Sequence, residues 1–341
     1  MIHFPSSVLS PLFLQHVELL HCLGDNMTLV EVTNVAKGEP EAIAMWSSLT
    51  LILSIGGSLI ILIGSVRHQA IKLNVISTTL INNIAVADLG FAVFVNGPML
   101  LAILTKEWVF GDTHCKATEL LAQFFCFADF NLICAFAISK LLCLLQPLKT
   151  WTLNKARTAA FILWFLAAIP PIEHAIFLKT GLQTYSNFTY GDVYHCTLVT
   201  DDGSDKVAWV DKVQSVFMMV IPSFLMGGAA IWMLLIVKKV RGLNRQAVIT
   251  VVLITVVYFI TCLPIGILYI FNLHRFKEFR QFAYFIPFLN RSANAFIYYV
   301  SIKSFRVYID RGMKKLSSNW IAVTTDDGEG TSKDMSSIRK P

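Results

Sequence analysis

Three charged side chains, Asp88, Asp129 and Arg291, interrupt long apolar runs of this 341-residue sequence. Charges at bilayer depth are costly, so they are candidates for functional roles. Asn290 and Asn294, spaced i, i+4 beside the arginine, share one helix face. Arginine can bind a carboxylate through two hydrogen bonds, and the pattern therefore predicts a buried polar cluster. Two acids and one cation leave one excess negative charge, which a proton or a small cation would balance. The alternative is an ion pair with a purely structural role.

The elements that must position these residues are long and apolar. Hydrophobic residues make up 55% of the chain and charged residues only 15%, whereas a soluble domain carries about a quarter charged residues. Seven segments reach the roughly 20 apolar residues that a helix needs to cross a bilayer. They are 43–66, 75–101, 117–142, 158–178, 213–237, 247–271 and 281–302. A soluble protein with seven buried helices is disfavoured, because these runs contain almost no charges.

We therefore predict an all-α membrane protein, a seven-transmembrane helix bundle over 43–302. Residues 1–42 are expected to form an extracellular tail, and 317–341 a disordered cytosolic tail. Between the bundle and that tail, residues 303–316 combine an apolar stripe with interleaved cations. This pattern is typical of a short amphipathic helix that lies on an anionic leaflet.

Lysines and arginines set the predicted orientation. They concentrate in the connections that would face the cytosol and just after the last span: Arg67, Lys72, Lys140, Lys149, Lys155, Arg157, Lys238, Lys239, Arg241, Arg245, Lys303, Arg306, Arg311, Lys314 and Lys315. The N-terminus is then extracellular, which suits the plasma membrane, and two glycosylation sequons, at Asn26 and Asn187, fall on the outer side. The net charge of +6 mostly reflects this bias and implies no nucleic-acid binding.

The seven cysteines sort by depth. Those within or at the ends of spans are expected to act as small apolar residues: Cys126, Cys134, Cys143 and Cys262. Cys115 and Cys196 both face the oxidising side, so a disulfide between them is chemically allowed. Cys22 is left over, either free, removed with a signal peptide, or paired with another thiol. The first 25 residues lack a basic start, which favours an uncleaved tail over a signal peptide.

Motifs of enzymes and transporters are missing from the sequence. It contains no HExxH zinc motif, no phosphate-binding loop and no repeat of broken helices. We therefore predict a protein that is not an enzyme and has no cofactor. A transporter, a channel or a membrane enzyme is therefore disfavoured.

Several short motifs, in order across the seven spans, resemble the rhodopsin-like (class A) G-protein-coupled receptors. "NNIAVADLGF" is similar to the family's N-x-x-L-A-x-A-D-L, with Asp88 as its aspartate, and "WVFGDTHC" is similar to W-x-F-G-x-x-x-C. "NAFIYYVSIKSFR" resembles N-P-x-x-Y followed by a phenylalanine. Single residues of the fourth, fifth and sixth spans also fit: Trp164, Pro222 and Pro264. The resemblance covers about residues 43–316.

The sequence departs from this family at its activation motifs. The D-R-Y triplet reads Ser139-Lys140-Leu141, and the tryptophan of C-W-x-P is Cys262. Ala295 replaces the proline of N-P-x-x-Y, while Asn294 and Tyr298 remain. Two further departures are Gly57-Ser58 in the first span and Ala230 in the fifth.

The resemblance implies a site for a sodium ion beside the second-span aspartate. Asp88, Asp129, Asn290 and Asn294 fall on its contact positions, and Arg291 can lean toward the same region. We expect Arg291 to replace some or all of that sodium. A sodium ion near Asp88 and Asp129 stays the alternative, and no other metal is expected.

The resemblance also implies a ligand pocket in the outer half of the bundle. Its expected lining is Glu119, Ala122, Gln123, Cys126, Gln214, Ser215, Met218, Cys262, Ile265, Tyr269, Tyr284 and Phe288. Ala122 stands where amine receptors carry an aspartate, and Phe288 stands where opsins carry the retinal lysine. An amine and retinal are therefore not expected. The lining suits an uncharged or lipid-like ligand, or one end of a peptide.

At the cytosolic end, the resemblance assigns coupling and activation to Ser139, Lys140, Leu141, Pro264 and Tyr298. Lys140 keeps the charge of the family's arginine but lacks its planar fork. Its usual acidic neighbour is Ser139, so the family's ionic latch cannot form. The expected partners are an extracellular ligand, a heterotrimeric G protein, arrestin and the bilayer. The alternative is a heptahelical decoy, scavenger or arrestin-biased receptor that activates no G protein.

Overall fold

The computed structural model describes residues 39–68, 74–105, 108–146, 152–177, 181–182, 198–199, 216–239, 245–271, 286–315 and 317–318. Residues 39–42, predicted as part of the N-terminal tail, form the start of the first helix, and 317–318 of the predicted C-terminal tail are also described. The rest of both tails, both sequons, Cys22 and Cys196 lie outside the described residues.

Helices make up almost all of the described chain, which confirms the predicted fold class. In chain order they are α1 (Glu39–His68), α2 (Val75–Phe91), α3 (Gly97–Thr105), α4 (Gly111–Leu145), α5 (Leu153–Phe177), α6 (Ile221–Lys239), α7 (Arg245–Ile270), α8 (Pro287–Ser301) and α9 (303–315). A π-helical turn, Ala92–Asn96, joins α2 to α3, and another, Val216–Val220, precedes α6. Between α5 and α6, β1 (Gly181–Leu182) pairs antiparallel with β2 (Leu198–Val199).

Six of the described helical stretches are long and apolar enough to cross a membrane. They are Ile43–Val66, Val75–Thr105, Thr113–Leu145, Leu153–Ile172, Ile221–Lys238 and Val248–Ile267. The second stretch contains α2, its π-helical turn and α3, which together form one continuous span. The seventh candidate, α8, has 15 described residues and packs against α1 and α7. The described residues thus form the helices of a multi-pass bundle.

The outer surface of this bundle is apolar. Phe161, Phe224 and Ile52 are 72%, 76% and 68% exposed, respectively. Because lipid is as apolar as these side chains, such exposure is expected of a bundle whose solvent is the bilayer. The interior holds fully buried rings, including Phe136, Tyr258 and Tyr298, together with nearly all of the buried polar groups.

Two polar contacts join α2 to its neighbours. Asn74 caps α2, where its Oδ1 accepts from the Ser77 backbone N–H at 3.2 Å, and its Nδ2 donates to Cys143 Sγ at 2.8 Å. Farther along the span, Trp164 Nε1 donates to Asn83 Oδ1 at 2.8 Å. The first contact ties the start of α2 to the end of α4, and the second ties its middle to α5.

Two glycines allow helices to approach closely. A Cβ added to Gly90 of α2 would lie 2.4 Å from the Phe125 ring, and one added to Gly57 of α1 would lie 2.6 Å from Ala295 Cβ. The Gly57 contact brings α1 against the middle of α8. Ala295 stands where the receptor family that the sequence resembles has proline. It packs directly against the backbone of Gly57.

Candidate functional site

Side chains of α2, α4 and α8 meet in a charged cluster at the centre of the bundle. Arg291 Nη1 lies 3.5 Å from Asp88 Oδ1 and 3.9 Å from Asp129 Oδ2. Asn294 Nδ2 donates to Asp88 Oδ2 at 2.8 Å, and Asn290 Nδ2 donates to Asp129 Oδ2 at 3.1 Å. All five residues are at most 5% exposed. The residues that the sequence grouped together by helix spacing are thus brought together in space.

Two more residues hold the guanidinium of Arg291. Its Cζ lies 3.8 Å from the centroid of the Phe91 ring, and its Nη2 donates to Cys126 Sγ at 3.1 Å. Cys126, expected in the ligand pocket, therefore contacts the charged cluster. Phe91 is not predicted from the motifs, although it follows Asp88 by three residues and so shares its helix face. An arginine can both stack on an aromatic ring and bind a carboxylate.

Some oxygens of the cluster have no partner among the described residues. They are Asp129 Oδ1, Asn290 Oδ1, Asn294 Oδ1 and the hydroxyl of Tyr298, and all are buried. A carboxylate only accepts hydrogen bonds, so each asparagine must turn its N–H toward the acid and its oxygen away. With two acids and one guanidinium, the cluster carries a formal charge of −1 when both acids are ionised.

The expected pocket residues divide between described and undescribed parts of the chain. Glu119 and Gln123 are half-buried on α4, Ile265 is half-buried on α7, and Cys262 is buried beside Thr261. Phe288 is buried, and its ring meets that of Phe91 edge-on with centroids 5.5 Å apart. Gln214, Ser215 and Tyr284 and the side chains of Met218 and Tyr269 lie outside the described residues. Their part of the lining stays a prediction.

An aromatic layer lies beside this expected pocket. Phe124 and Trp164 have ring centroids 5.3 Å apart, and Phe125 stacks on Phe94 at 6.3 Å. Phe91 and Phe288 join Phe125 in one apolar cluster. The guanidinium of Arg291 lies against Phe91, so these rings adjoin the charged cluster.

At the other end of α4, Lys140 is only 5% exposed. Its Nζ lies 5.1 Å from the centroid of the Phe136 ring, and it forms no ion pair with a described acid. Ser139 Oγ instead donates to the Phe136 carbonyl at 2.8 Å. The Lys140 side chain is thus buried, with its ammonium over the Phe136 ring.

The remaining coupling candidates lie on three helices. Leu141 is half-buried on α4, Pro264 lies inside α7, and Tyr298 is fully buried on α8. Cys115, at the end of the bundle predicted to be extracellular, is disulfide-bonded, and its partner lies outside the described residues. The pairing of Cys115 with Cys196 stays a prediction.

Comparison with known proteins matches most of the bundle to one family. Residues 57–298 match the family described as 7 transmembrane receptor (rhodopsin family). C-X-C chemokine receptor type 1 of Rattus norvegicus is 23% identical over 229 residues, which cover 66% of this chain and 62% of that receptor. The type-1 angiotensin II receptor of Gallus gallus is 27% identical over 151 residues, 42% of each chain. N-formyl peptide receptor 3 of Pongo pygmaeus is 26% identical over 141 residues, 40% of this chain and 38% of that receptor. The chain therefore spans about three fifths or less of the length of these relatives.

Proposed function

We propose, from the premise that this chain belongs to the rhodopsin family of seven-transmembrane receptors, that it binds an extracellular ligand at the plasma membrane and activates heterotrimeric G proteins. The observation that carries the proposal is the family match over 57–298, which runs from the second half of α1 to the last turn of α8. The cation excess of the inner connections supports an extracellular N-terminus. Glycosylation at Asn26 and Asn187 and a Cys115–Cys196 disulfide belong to the same proposal.

The surroundings of Lys140 on α4 affect the stability of the inactive state of such a receptor. Lys140 occupies the position of the family's arginine, and it pairs with no acid in the described part of the chain. Contact with the Phe136 ring is a weak, non-directional hold compared with a bidentate ion pair. The proposed receptor therefore lacks an ionic latch on its inactive state, and we expect basal activity.

A second candidate function rests on the same residue. Lysine is a point charge and cannot form the several parallel bonds of a guanidinium. Here it is also buried, with Ser139 turned away toward the Phe136 carbonyl. Both features of Lys140 weaken the expected contact with a G protein. They favour a receptor that binds its ligand and engages arrestin, or one that only sequesters the ligand.

The proposed ligand is not an amine. Ala122, half-buried on α4, supplies no carboxylate where amine receptors carry an aspartate. The surrounding rings favour an uncharged or lipid-like ligand, or one end of a peptide. One similar receptor is named for a peptide, the N-formyl peptide receptor, and another for an amine, the octopamine receptor. The absence of an acid at Ala122 favours the peptide over the amine.

Nucleotide exchange on purified G proteins tests the proposed function. The parent, Lys140→Arg and Lys140→Gln would each be reconstituted in lipid nanodiscs and measured without ligand, then with lipid and peptide libraries. Exchange by the parent above receptor-free discs, lost in Lys140→Gln, supports G-protein coupling. Exchange only after Lys140→Arg would favour the decoy. Arrestin recruitment by the parent without exchange would favour the biased receptor.

A further inference from the structure

We propose that Arg291 takes the place of the sodium ion that the family resemblance implies, as a cation fixed to the chain, so that no sodium binds between α2, α4 and α8. Arg291 would then neutralise the core of the bundle whatever signalling function the protein has.

The position of one nitrogen carries the inference. Nη1 of Arg291 lies 3.5 Å from Asp88 and 3.9 Å from Asp129, so it stands between the two carboxylates. A metal ion that bridged the same oxygens would lie in contact with the guanidinium. Two like charges at this distance repel strongly where water is excluded. Arginine stays protonated under all relevant conditions, so it cannot relieve that repulsion by losing its proton.

The oxygen atoms that a hard cation needs are also turned away or occupied. Three of the four carboxylate oxygens already contact an N–H group. Asp88 Oδ1 and Oδ2 contact Arg291 and Asn294, and Asp129 Oδ2 contacts Asn290. Each of these amides presents its nitrogen to the acid, so its oxygen points elsewhere. Asp129 Oδ1 is the one carboxylate oxygen left without a described partner, and the unpartnered oxygens of Asn290 and Asn294 belong to amides that present their nitrogens to the acids.

Unlike a bound ion, the guanidinium of Arg291 cannot dissociate from the cluster. Phe91 covers its guanidinium at 3.8 Å, Cys126 Sγ accepts from Nη2 at 3.1 Å, and the residue is only 5% exposed. A free ion binds by mass action, so its occupancy and the stability that it adds both depend on its concentration. A tethered cation has constant occupancy. The stability of this receptor should therefore not respond to sodium beyond the effect of ionic strength.

Thermal unfolding in three salts tests the inference without a ligand or a G protein, so the result does not depend on the proposed function. The receptor in nanodiscs would be unfolded in sodium, potassium and choline chloride at equal ionic strength. We expect the same Tm for the parent in all three. Asp129→Ser combined with Arg291→Ser replaces the second acid and the guanidinium by hydroxyls and leaves Asp88 without its ion-pair partner. We expect the Tm of this double variant to be about 2–4 °C higher in sodium chloride than in potassium or choline chloride.

Adding Asp88→Asn to the double variant is the control, and we expect it to abolish the gain. A higher Tm of the parent in sodium than in potassium and choline would overturn the inference, whether or not any variant folds. A double variant that folds but gains nothing in sodium would also overturn it, because Arg291 would then not be the group that excludes the ion.

Discussion

Arg291 and Asp88 form an ion pair, 3.5 Å apart, between helices that are far apart in the chain, and both residues are almost fully buried. A buried pair is destabilised most when one partner is removed, because the other charge is left without compensation. The cluster that contains this pair therefore allows a sharp comparison of single and combined substitutions.

Arg291→Met should lower the free energy of unfolding by about 3–5 kcal/mol. Adding Asp88→Asn and Asp129→Asn to it removes all three charges, and most of the loss should be recovered. Denaturation of the purified proteins in mixed micelles measures both. Arg291→Lys is the matched control: it keeps the charge but loses the fork, so we expect an intermediate loss. A single Arg291→Met variant as stable as the parent would show that the pair does not hold the bundle together.

Asp129→Asn alone should leave stability unchanged or raise it. The substitution removes the excess negative charge of the cluster and retains an oxygen that can accept from Asn290 Nδ2, which lies 3.1 Å from Asp129. Asp88→Asn is the comparison, because it removes the nearer partner of Arg291. We expect Asp88→Asn to be the less stable variant, as measured by Tm. The reverse order would contradict the charge assignment.

Gly57→Ala should destabilise the bundle by about 1–3 kcal/mol, the usual cost of overpacking. The new methyl group would lie 2.6 Å from Ala295 Cβ. Adding Ala295→Gly should recover part of the loss, and the double-mutant cycle should give a coupling of at least about 0.5 kcal/mol. Gly56→Ala is the matched control one residue earlier, since an added Cβ there meets nothing within 4 Å. Equal effects at the two glycines would refute the close approach of α1 and α8.

Trp164→Phe should cost roughly 0.6 kcal/mol, and not much above 1.7, as hydrogen bonds between membrane helices usually do. The phenyl ring keeps the contact with Phe124 but loses the 2.8 Å bond to Asn83 Oδ1. Asn83 stays in place because its Nδ2 donates to the Thr79 carbonyl at 2.8 Å. A cycle with Asn83→Ala measures the pair. Additive losses in that cycle would mean that the bond contributes nothing.

Arg306→Ala should increase amide hydrogen exchange in α9 by about tenfold, since a hydrogen bond to a charged group contributes about 1.5–3 kcal/mol. Arg306 closes the carbonyl end of α8: its Nε donates to the Tyr299 carbonyl at 3.1 Å, and its Nη2 donates to the Val300 carbonyl. Lys303→Ala is the control, because Lys303 is exposed and forms no ion pair with a described acid. Similar exchange in the two variants would exclude this capping role.

The helices and the members of the charged cluster could be predicted from the sequence because both follow from local patterns. A charge inside an apolar run must find a partner in lipid, and helix spacing shows which residues share a face. The contact of Arg291 with Phe91 could not be predicted in this way. It depends on the relative rotation of α2 and α8, which the sequence of either helix alone does not set. The aromatic residue beside Asp88 could have been noticed, but many phenylalanines of this chain lie inside spans.

The burial of Lys140 could not be predicted from the sequence. Its depth in the bundle depends on how α4 extends past its neighbours, and the apolar run ends at the same residue whether the ammonium is buried or in water. Motif spacing places Lys140 at the position of the family's arginine. The contact of Nζ with the Phe136 ring depends on a side-chain conformation, which motif spacing does not specify.

The bond from Asn74 to Cys143 Sγ gives the bundle a native reporter of movement. Cys143 is half-buried at the end of α4, whereas Cys134 and Cys262 are buried and Cys126 lies against Arg291. If the start of α2 separates from α4, the Cys143 thiol loses its cover and alkylates faster, and the other described free thiols keep their rates. The alkylation rate of Cys143 would therefore report the separation of α2 from α4 at this end of the bundle, with no substitution in the sequence.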